Sequence, residues 1–152
     1  MTVLVLAQHD NRTLDKASLH ALSAATALGG PVDVLVAGAD CAAVAGAVAA
    51  CPDVRRVLRV EAAAYGEPVA EELAALLVAL APDYDHLVAA ATTTGKNVMP
   101  RAAALLDTAQ VSDVVAVLGP DRFQRYVYAG NALATVKSLD AKRVLTIRTT
   151  AF

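Results

Sequence analysis

The apolar residues of this chain alternate between short continuous runs and stretches with helical spacing. Continuous runs of this length are typical of strands buried on both faces of a sheet, and they predict strands over residues 3–7, 32–37, 54–60 and 86–91. The stretches between and after them predict helices over residues 14–28, 42–50, 68–81 and 97–107. This alternation predicts a parallel sheet with helices on both faces.

The pattern changes in the last third of the chain. Four strand-like segments follow one another over residues 111–118, 122–128, 132–136 and 143–147, joined by short turns. Such turns leave no room for crossover helices, so at least part of this tail should be antiparallel. We therefore expect residues 1–152 to form a single doubly wound α/β domain with a mostly parallel sheet.

Local signals predict where two of the helices begin. Thr13 is the expected N-cap of the first helix. For the fourth helix, Asn97 as the N-cap would place Pro100 in the first turn, where a missing N–H costs little. The alternative is that Thr92 to Thr94 cap this helix and that Gly95 relieves a tight turn.

Composition narrows the classes of partner and compartment. The 152 residues are 57% hydrophobic and 18% charged, with a net charge of −2. This charge does not favour binding to nucleic acid or to an anionic membrane. Cys41 and Cys51 lack CxxC spacing, which favours a reduced, cytoplasmic compartment. No basic residue precedes the first apolar run, and residues 73–81 are too few to span a bilayer, so neither a signal peptide nor membrane insertion is expected.

The Gly95-Lys96 pair invites comparison with a phosphate-binding P-loop. That motif needs Gly where this chain has Ala90, and Ser or Thr where it has Asn97, so there is no hydroxyl for magnesium. The loop could still hold an anion through its backbone amides and Lys96. Thr94, Gly95 and Lys96 are accordingly weak candidates for nucleotide binding, beside the structural reading in which the threonines cap a helix.

The sequence contains no other motif for a cofactor, a catalytic nucleophile or a metal. No GxGxxG follows the first strand, no GxSxG is present, and His9, His20 and His86 lack the spacing of a zinc site. His9 and Asp10 follow the first strand, and we expect them to make loop hydrogen bonds. The chain therefore offers neither a catalytic constellation nor a metal site, and we expect that it is not an enzyme in its own right.

The segment from Arg122 to Tyr128 alternates two kinds of residue. The odd-numbered positions hold Phe123, Arg125 and Val127, and the even-numbered positions hold Gln124, Tyr126 and Tyr128. A strand with two distinct faces follows from this pattern. Because the chain is acidic overall, an exposed sheet edge or a contact with another domain is favoured over nucleic-acid binding.

Five ordered segments of the chain resemble one family: HDNRTL at 9–14, ATTTGKNVMPRAAALLD at 91–107, QVSDV at 110–114, YAGNALATVKS at 128–138 and RTTAF at 148–152. Together they resemble the N-terminal domain of the electron transfer flavoprotein alpha subunit, over essentially the whole chain. The resemblance implies a doubly wound fold similar to that of the adenine nucleotide alpha hydrolase-like proteins.

The resemblance also implies a role. Alpha subunits of this family pair with a related beta subunit, and the heterodimer carries electrons through FAD from acyl-CoA and other dehydrogenases, as in fatty acid beta-oxidation, to a quinone reductase. The family's FAD ligands lie mainly in a C-terminal domain that would begin near Phe152, and its AMP site belongs to the beta subunit. The expectation is thus a scaffold and interaction domain without a cofactor or catalytic site of its own, which self-associates when isolated.

The alternative is a stand-alone adenine-nucleotide-binding module of the universal-stress-protein type. Such proteins resemble one another in a segment with GxxG, nine further residues, then Gly and a hydroxyl residue. After the fourth predicted strand this chain has only Gly95 before Gly119, so the pattern is missing. An ATP pyrophosphatase of similar fold would need a glycine-serine loop after the first strand, where this chain has Ala7-Gln8-His9-Asp10.

Overall fold

The computed structural model describes residues 1–152, which form eight strands and four α-helices in one α/β fold. The strands are β1 (Val3–Leu6), β2 (Val32–Gly38), β3 (Val54–Glu61), β4 (His86–Ala90), β5 (Gln110–Val117), β6 (Arg122–Val127), β7 (Ala132–Lys137) and β8 (Arg143–Ile147). The helices are α1 (Lys16–Thr26), α2 (Ala42–Ala49), α3 (Ala70–Leu80) and α4 (Thr93–Leu105). Single 3-10 turns occupy Ala63–Tyr65, Ala81–Asp83 and Thr149–Ala151. None of the helices is long and apolar enough to cross a membrane.

The strands form a single sheet in the order β3-β2-β1-β4-β8-β5-β6-β7. Every neighbouring pair from β3 to β5 is parallel, while β6 pairs antiparallel with both β5 and β7. The prediction of a mostly parallel sheet with a partly antiparallel tail is therefore confirmed. The position of the last strand, β8, between β4 and β5 was not predicted.

Helices cover both faces of the sheet, as its apolar runs predicted. On β1, Val3 and Val5 point into the core beneath α1 and α2, whereas Leu4 and Leu6 point into the core beneath α3 and α4. All four side chains are buried, which is why the strand reads as an uninterrupted apolar run.

The predicted start of α1 is wrong, and of the two alternatives for the start of α4 the threonine cap is confirmed. Asp15, not Thr13, caps α1, and its side chain accepts a hydrogen bond from the Ala17 amide. Thr92, not Asn97, caps α4, so Pro100 lies inside this helix rather than in its first turn. In both places a better-placed oxygen satisfies the free amides of the first turn.

A bulge in β5 explains how β8 reaches the centre of the sheet. The register of β5 shifts between Val111 and Val114, and Asp113 adopts a left-handed conformation with φ of 57°. The strand bends there, so the turn after β5 comes back to the amino end of β4, where His86 Nε2 donates to the Pro120 carbonyl at 2.6 Å. Residues 138–142 then suffice to enter β8, although parallel strands ordinarily need a longer crossover.

A buried carboxylate joins β2 to β3 near the amino end of the sheet. A register shift between Val32 and Asp33 allows both Arg55 and Arg56 to reach the Asp33 side chain, at 2.8 and 2.7 Å. The Tyr84 hydroxyl donates to the same carboxylate at 2.7 Å. Burial opposes ionisation of Asp33, but these hydrogen bonds outweigh it and lower the pKa from 3.8 to about 2.

Candidate functional site

The strand order places a cleft where ligands commonly bind in doubly wound folds. The chain leaves β1 through α1 towards β2 on one side, and it returns through α3 to β4 on the other side of β1. The carboxyl ends of β1 and β4 therefore flank a topological switch point. A cleft of about 220 Å³ lies there, between residues 6–9 and the start of α4.

Gly95 lets α4 begin directly against the end of β4. A Cβ atom at this position would overlap the Ala90 carbonyl oxygen, at well under 3.0 Å, and that oxygen belongs to the backbone of the strand. Its φ is not in the left-handed region, so glycine is required here by the close approach and not by the backbone conformation. Only a residue without a side chain permits this close approach of helix to strand.

The Thr92 hydroxyl makes two hydrogen bonds to residues that line the cleft. Its Oγ1 accepts from the Gly95 amide at 3.2 Å and donates to Gln8 Oε1 at 2.6 Å. The Gln8 side-chain amide in turn donates to Asp15, the cap of α1, at 3.0 Å. The loops after β1 and β4 are thus tied together by protein groups.

The three nucleotide-binding candidates are only partly brought together. Thr94 and Gly95 line the cleft, but Lys96 does not. The amides of Gly95 and Lys96 are already bonded within the protein, to the Thr92 hydroxyl and the Thr92 carbonyl. Pockets for small ligands usually enclose about 300–1,000 Å³. The geometry thus offers an anion two amides, those of Thr93 and Thr94, in a cleft below the usual size.

His9 and Asp10 make loop hydrogen bonds, as expected. His9 Nδ1 accepts from the Asn11 amide at 3.0 Å, and the Asp10 carboxylate accepts from Arg12 and Thr13 amides at 2.9 and 2.6 Å. The bonds from Thr13 and Arg12 lower the pKa of Asp10. Burial lowers the pKa of His9, with a hydrogen bond to Ala37 and the charge of Asp10 acting against it.

Asn11 fixes this loop to the far side of the cleft. It adopts a left-handed conformation with φ of 70°, which asparagine tolerates better than most residues. Its side chain accepts from the Ala39 amide at 2.9 Å and donates to the Gly66 carbonyl at 2.7 Å. Sequence reasoning missed Asn11 and Gln8, because isolated polar loop residues carry no periodic signal.

The remaining histidines and the cysteines are structural. His20 Nδ1 bonds the Phe152 carbonyl oxygen. Burial lowers the pKa of His86, the bond to Pro120 opposes that shift, and the charge of Arg143 adds to it. Cys41 and Cys51 are free thiols, and burial followed by the nearby Glu61 charge raises the pKa of Cys41. No group of three or more His, Cys, Asp or Glu side chains could hold a metal ion.

The hairpin of β6 and β7 forms an exposed surface, here called the ribbon (residues 122–137). One of its faces buries Phe123 against the core beneath α1, as the two-parity pattern predicted. On the opposite face Tyr126 and Leu133 are directly paired across the strands, and both are exposed. The outer edge of β7 pairs with no strand, so its backbone groups remain open.

Arg148, after β8, holds Tyr126 in place. Its guanidinium lies over the Tyr126 ring at 5.3 Å from the centroid, and it forms an ion pair with Asp113 at the β5 bulge. The hydrogen bond from Arg148 to this carboxylate fixes the guanidinium. The contacts of Arg148 and Asp113 were not predicted, because Arg148, Asp113 and Tyr126 are distant in sequence and meet only through the bend in β5.

Comparisons with known proteins cover the whole chain. A model of the electron transfer flavoprotein domain family matches residues 3–152. The chain is 49% identical over 152 residues to the electron transfer flavoprotein subunit alpha of Pseudomonas aeruginosa, covering 100% of this chain and 49% of that protein. It is 54% identical to the subunit alpha of Bradyrhizobium diazoefficiens, covering 100% of this chain and 48% of that protein. It is 38% identical to the mitochondrial subunit alpha of Arabidopsis thaliana, covering 100% of this chain and 44% of that protein. The chain spans about half the length of these curated relatives.

Proposed function

The chain belongs to the electron transfer flavoprotein domain family, and from this premise we propose that it acts as the scaffold and interaction domain of an alpha subunit. The observation that carries the proposal is the match of the entire chain, at 49% and 54% identity, to about half of two bacterial alpha subunits. In this proposal the domain lies in the cytoplasm and pairs with a beta subunit. The pair carries electrons through FAD from acyl-CoA and other dehydrogenases to a quinone reductase.

The cleft does not fit FAD. Its volume of about 220 Å³ is small, and the Thr92 hydroxyl already accepts from the Gly95 amide and donates to Gln8. No glycine-rich loop follows β1, where a dinucleotide would need close backbone approach. We therefore assign the FAD ligands of the complex mainly to regions outside residues 1–152. The same contacts and the family match disfavour a stand-alone nucleotide-binding module.

The first test is flavin binding by the purified chain. We expect no stoichiometric yellow complex after mixing with excess FAD and gel filtration, because the cleft of about 220 Å³ is below the usual size of a ligand pocket and no glycine-rich loop follows β1. The absorption spectrum of the protein peak measures this. A flavin spectrum at one FAD per chain would contradict the assignment of FAD to other regions.

The second test is association with the beta subunit of the same organism. We expect a one-to-one complex in size-exclusion chromatography with light scattering, because the ribbon exposes Tyr126, Tyr128 and Leu133 on one protruding hairpin. Alone, the chain is expected to self-associate weakly through the same surface. A strict monomer that also ignores the beta subunit at high concentration would count against the interaction role.

A further inference from the structure

His86 is a buried histidine that joins two parts of the fold. It is the first residue of β4 and is 0% exposed. Because side chains alternate along a strand, its ring lies on the same face as Val88, in the core beneath α1 and α2. Its Nε2 donates to the Pro120 carbonyl at 2.6 Å, and this is the only hydrogen bond between the turn of residues 118–121 and β4.

The bond to Pro120 fixes which ring nitrogen of His86 carries the hydrogen. A carbonyl oxygen only accepts, so Nε2 carries the hydrogen and Nδ1 of the neutral ring keeps its lone pair. Nδ1 is buried and has no hydrogen-bond partner in the protein. A second proton would enter the ring at Nδ1, where it would be a buried donor without an acceptor. Burial of a charged group without such a partner is unfavourable.

The nearest charges also oppose a second proton on this ring. Arg143 lies beside His86 in the register of β4 with β8, and its Nε is likewise buried without a partner. Burial is the largest cause that lowers the pKa of His86, the bond to Pro120 opposes it, and the charges of Arg143 and the amino terminus add to it. Asp85 raises the pKa, but its carboxylate already accepts from the Thr2 amide at 2.7 Å.

The other elements around the ring bring no free anion to it. In the turn, Asp121 follows Pro120 and pairs with Lys137 of β7 at 3.6 Å. On α1 the titratable residues are Lys16 and His20, both in its first half. That half lies towards the carboxyl end of the sheet, because α1 follows β1. Since no protein acceptor is available to Nδ1, the protonated ring can gain a partner only from water.

We propose that His86 is a pH-sensitive latch, which holds the turn of residues 118–121 on β4 when its ring is neutral and releases the turn when the ring is protonated. The turn is the element that can move, because β1 and β8 flank β4 through parallel ladders while the turn is attached to β4 by one bond. This inference goes beyond the proposed function and does not depend on which partner the domain binds.

The direction of the pH dependence follows from the two forms of the latch. The closed form resists the proton, since the pKa of the buried ring is lowered. The open form takes the proton at the ordinary histidine pKa of about 6.5. The latch is therefore closed above this pH. It opens progressively as the pH falls below about 6.5, with up to about a tenfold change in the ratio of open to closed form per pH unit.

The test is amide hydrogen exchange at Ser138 in the full chain. This residue is 8% exposed, and its amide donates to the Asp121 carbonyl in the turn at 2.8 Å, so movement of the turn exposes it. We expect its protection factor to fall about tenfold from pH 7.5 to pH 5.5. Low concentrations of urea should leave this exchange unchanged, because local opening exposes little surface. Nitrogen NMR of the His86 ring at pH 7.5 should show the hydrogen on Nε2.

His86→Gln is the decisive variant, because a glutamine amide can donate to the Pro120 carbonyl but does not titrate. Its Ser138 protection factor should be the same at both pH values. His20→Gln is the matched control, since His20 is a half-buried histidine on α1 that bonds the Phe152 carbonyl oxygen. This variant should keep the tenfold fall.

Three results would overturn the latch. The first is a Ser138 protection factor that does not change with pH in the wild-type chain, or a fall that persists in His86→Gln. The second is exchange at Ser138 that rises with urea as steeply as exchange in β1, because the turn would then open only by global unfolding. The third applies even if His86→Gln does not fold: a wild-type ring that takes its second proton while the Ser138 protection factor stays constant.

Discussion

Replacing Gly95 by alanine is expected to destabilise the chain by about 3 kcal/mol, although alanine is ordinarily the better helix residue. The added methyl group would overlap the Ala90 carbonyl oxygen, which is part of β4 and cannot turn away as a flexible side chain could. Relief requires α4 to move away from the strand, and this movement would also strain the Thr92 bridge to Gln8. Urea unfolding followed by circular dichroism measures the change.

Gly46→Ala is the matched control for this substitution. Gly46 lies within α2, and a Cβ atom there would meet nothing within 4 Å. The same change should stabilise the chain by roughly 0.5–1 kcal/mol through helix propensity alone. Similar effects from both substitutions would show that the close approach of α4 to β4 is not a packing constraint.

The elements of the fold could be predicted largely from sequence, because strands buried on both faces appear as continuous apolar runs. The beginning of α4 stayed between two alternatives, since Pro100 makes Asn97 look like a cap, while Thr92 to Thr94 offer competing oxygens next to the end of β4, and Thr92 is the cap that forms. The place of β8 between β4 and β5 also escaped prediction. It depends on a left-handed Asp113 in the middle of a strand, and the apolar pattern around Asp113 gives no sign of a bulge there.

The candidate site was predicted only in part. The Thr94-Gly95 turn stands out because glycine follows a run of threonines after an apolar strand. The groups that tie the cleft together, Gln8 and Asn11, make contacts that are non-local in sequence. Asp33 did carry a signal, since it is a charged residue inside an apolar strand, but its partners became evident only when the bulge brought two arginines to it.

Removal of both arginines around Asp33 is expected to cost about 3 kcal/mol at pH 7, because it leaves a carboxylate that is 0% exposed with only the Tyr84 hydroxyl as a partner. Arg55→Met combined with Arg56→Met tests this in urea unfolding. Arg59→Met on the same strand is the control. Arg59 forms only a 3.9 Å ion pair with Glu61, and both side chains are about half-exposed. The free energy of unfolding should therefore fall by less than about 0.5 kcal/mol. Asp33→Asn should cost less than the double variant, since Arg55 and Arg56, 43% and 59% exposed, can turn to solvent.

The pH dependence of the same variants tests the electrostatic cause. The pKa of Asp33 is about 2 in the folded chain and 3.8 as its ordinary value, so the folded state favours its ionised form. The stabilisation is present above pH 3.8, amounts to about 2 kcal/mol, and is lost as the pH falls towards 2. In the double-arginine variant, burial without partners favours the protonated acid, so its deficit relative to wild type should shrink as the pH falls through this range. A deficit that stays constant from pH 7 to pH 3 would mean that the arginines stabilise the chain by packing rather than by charge.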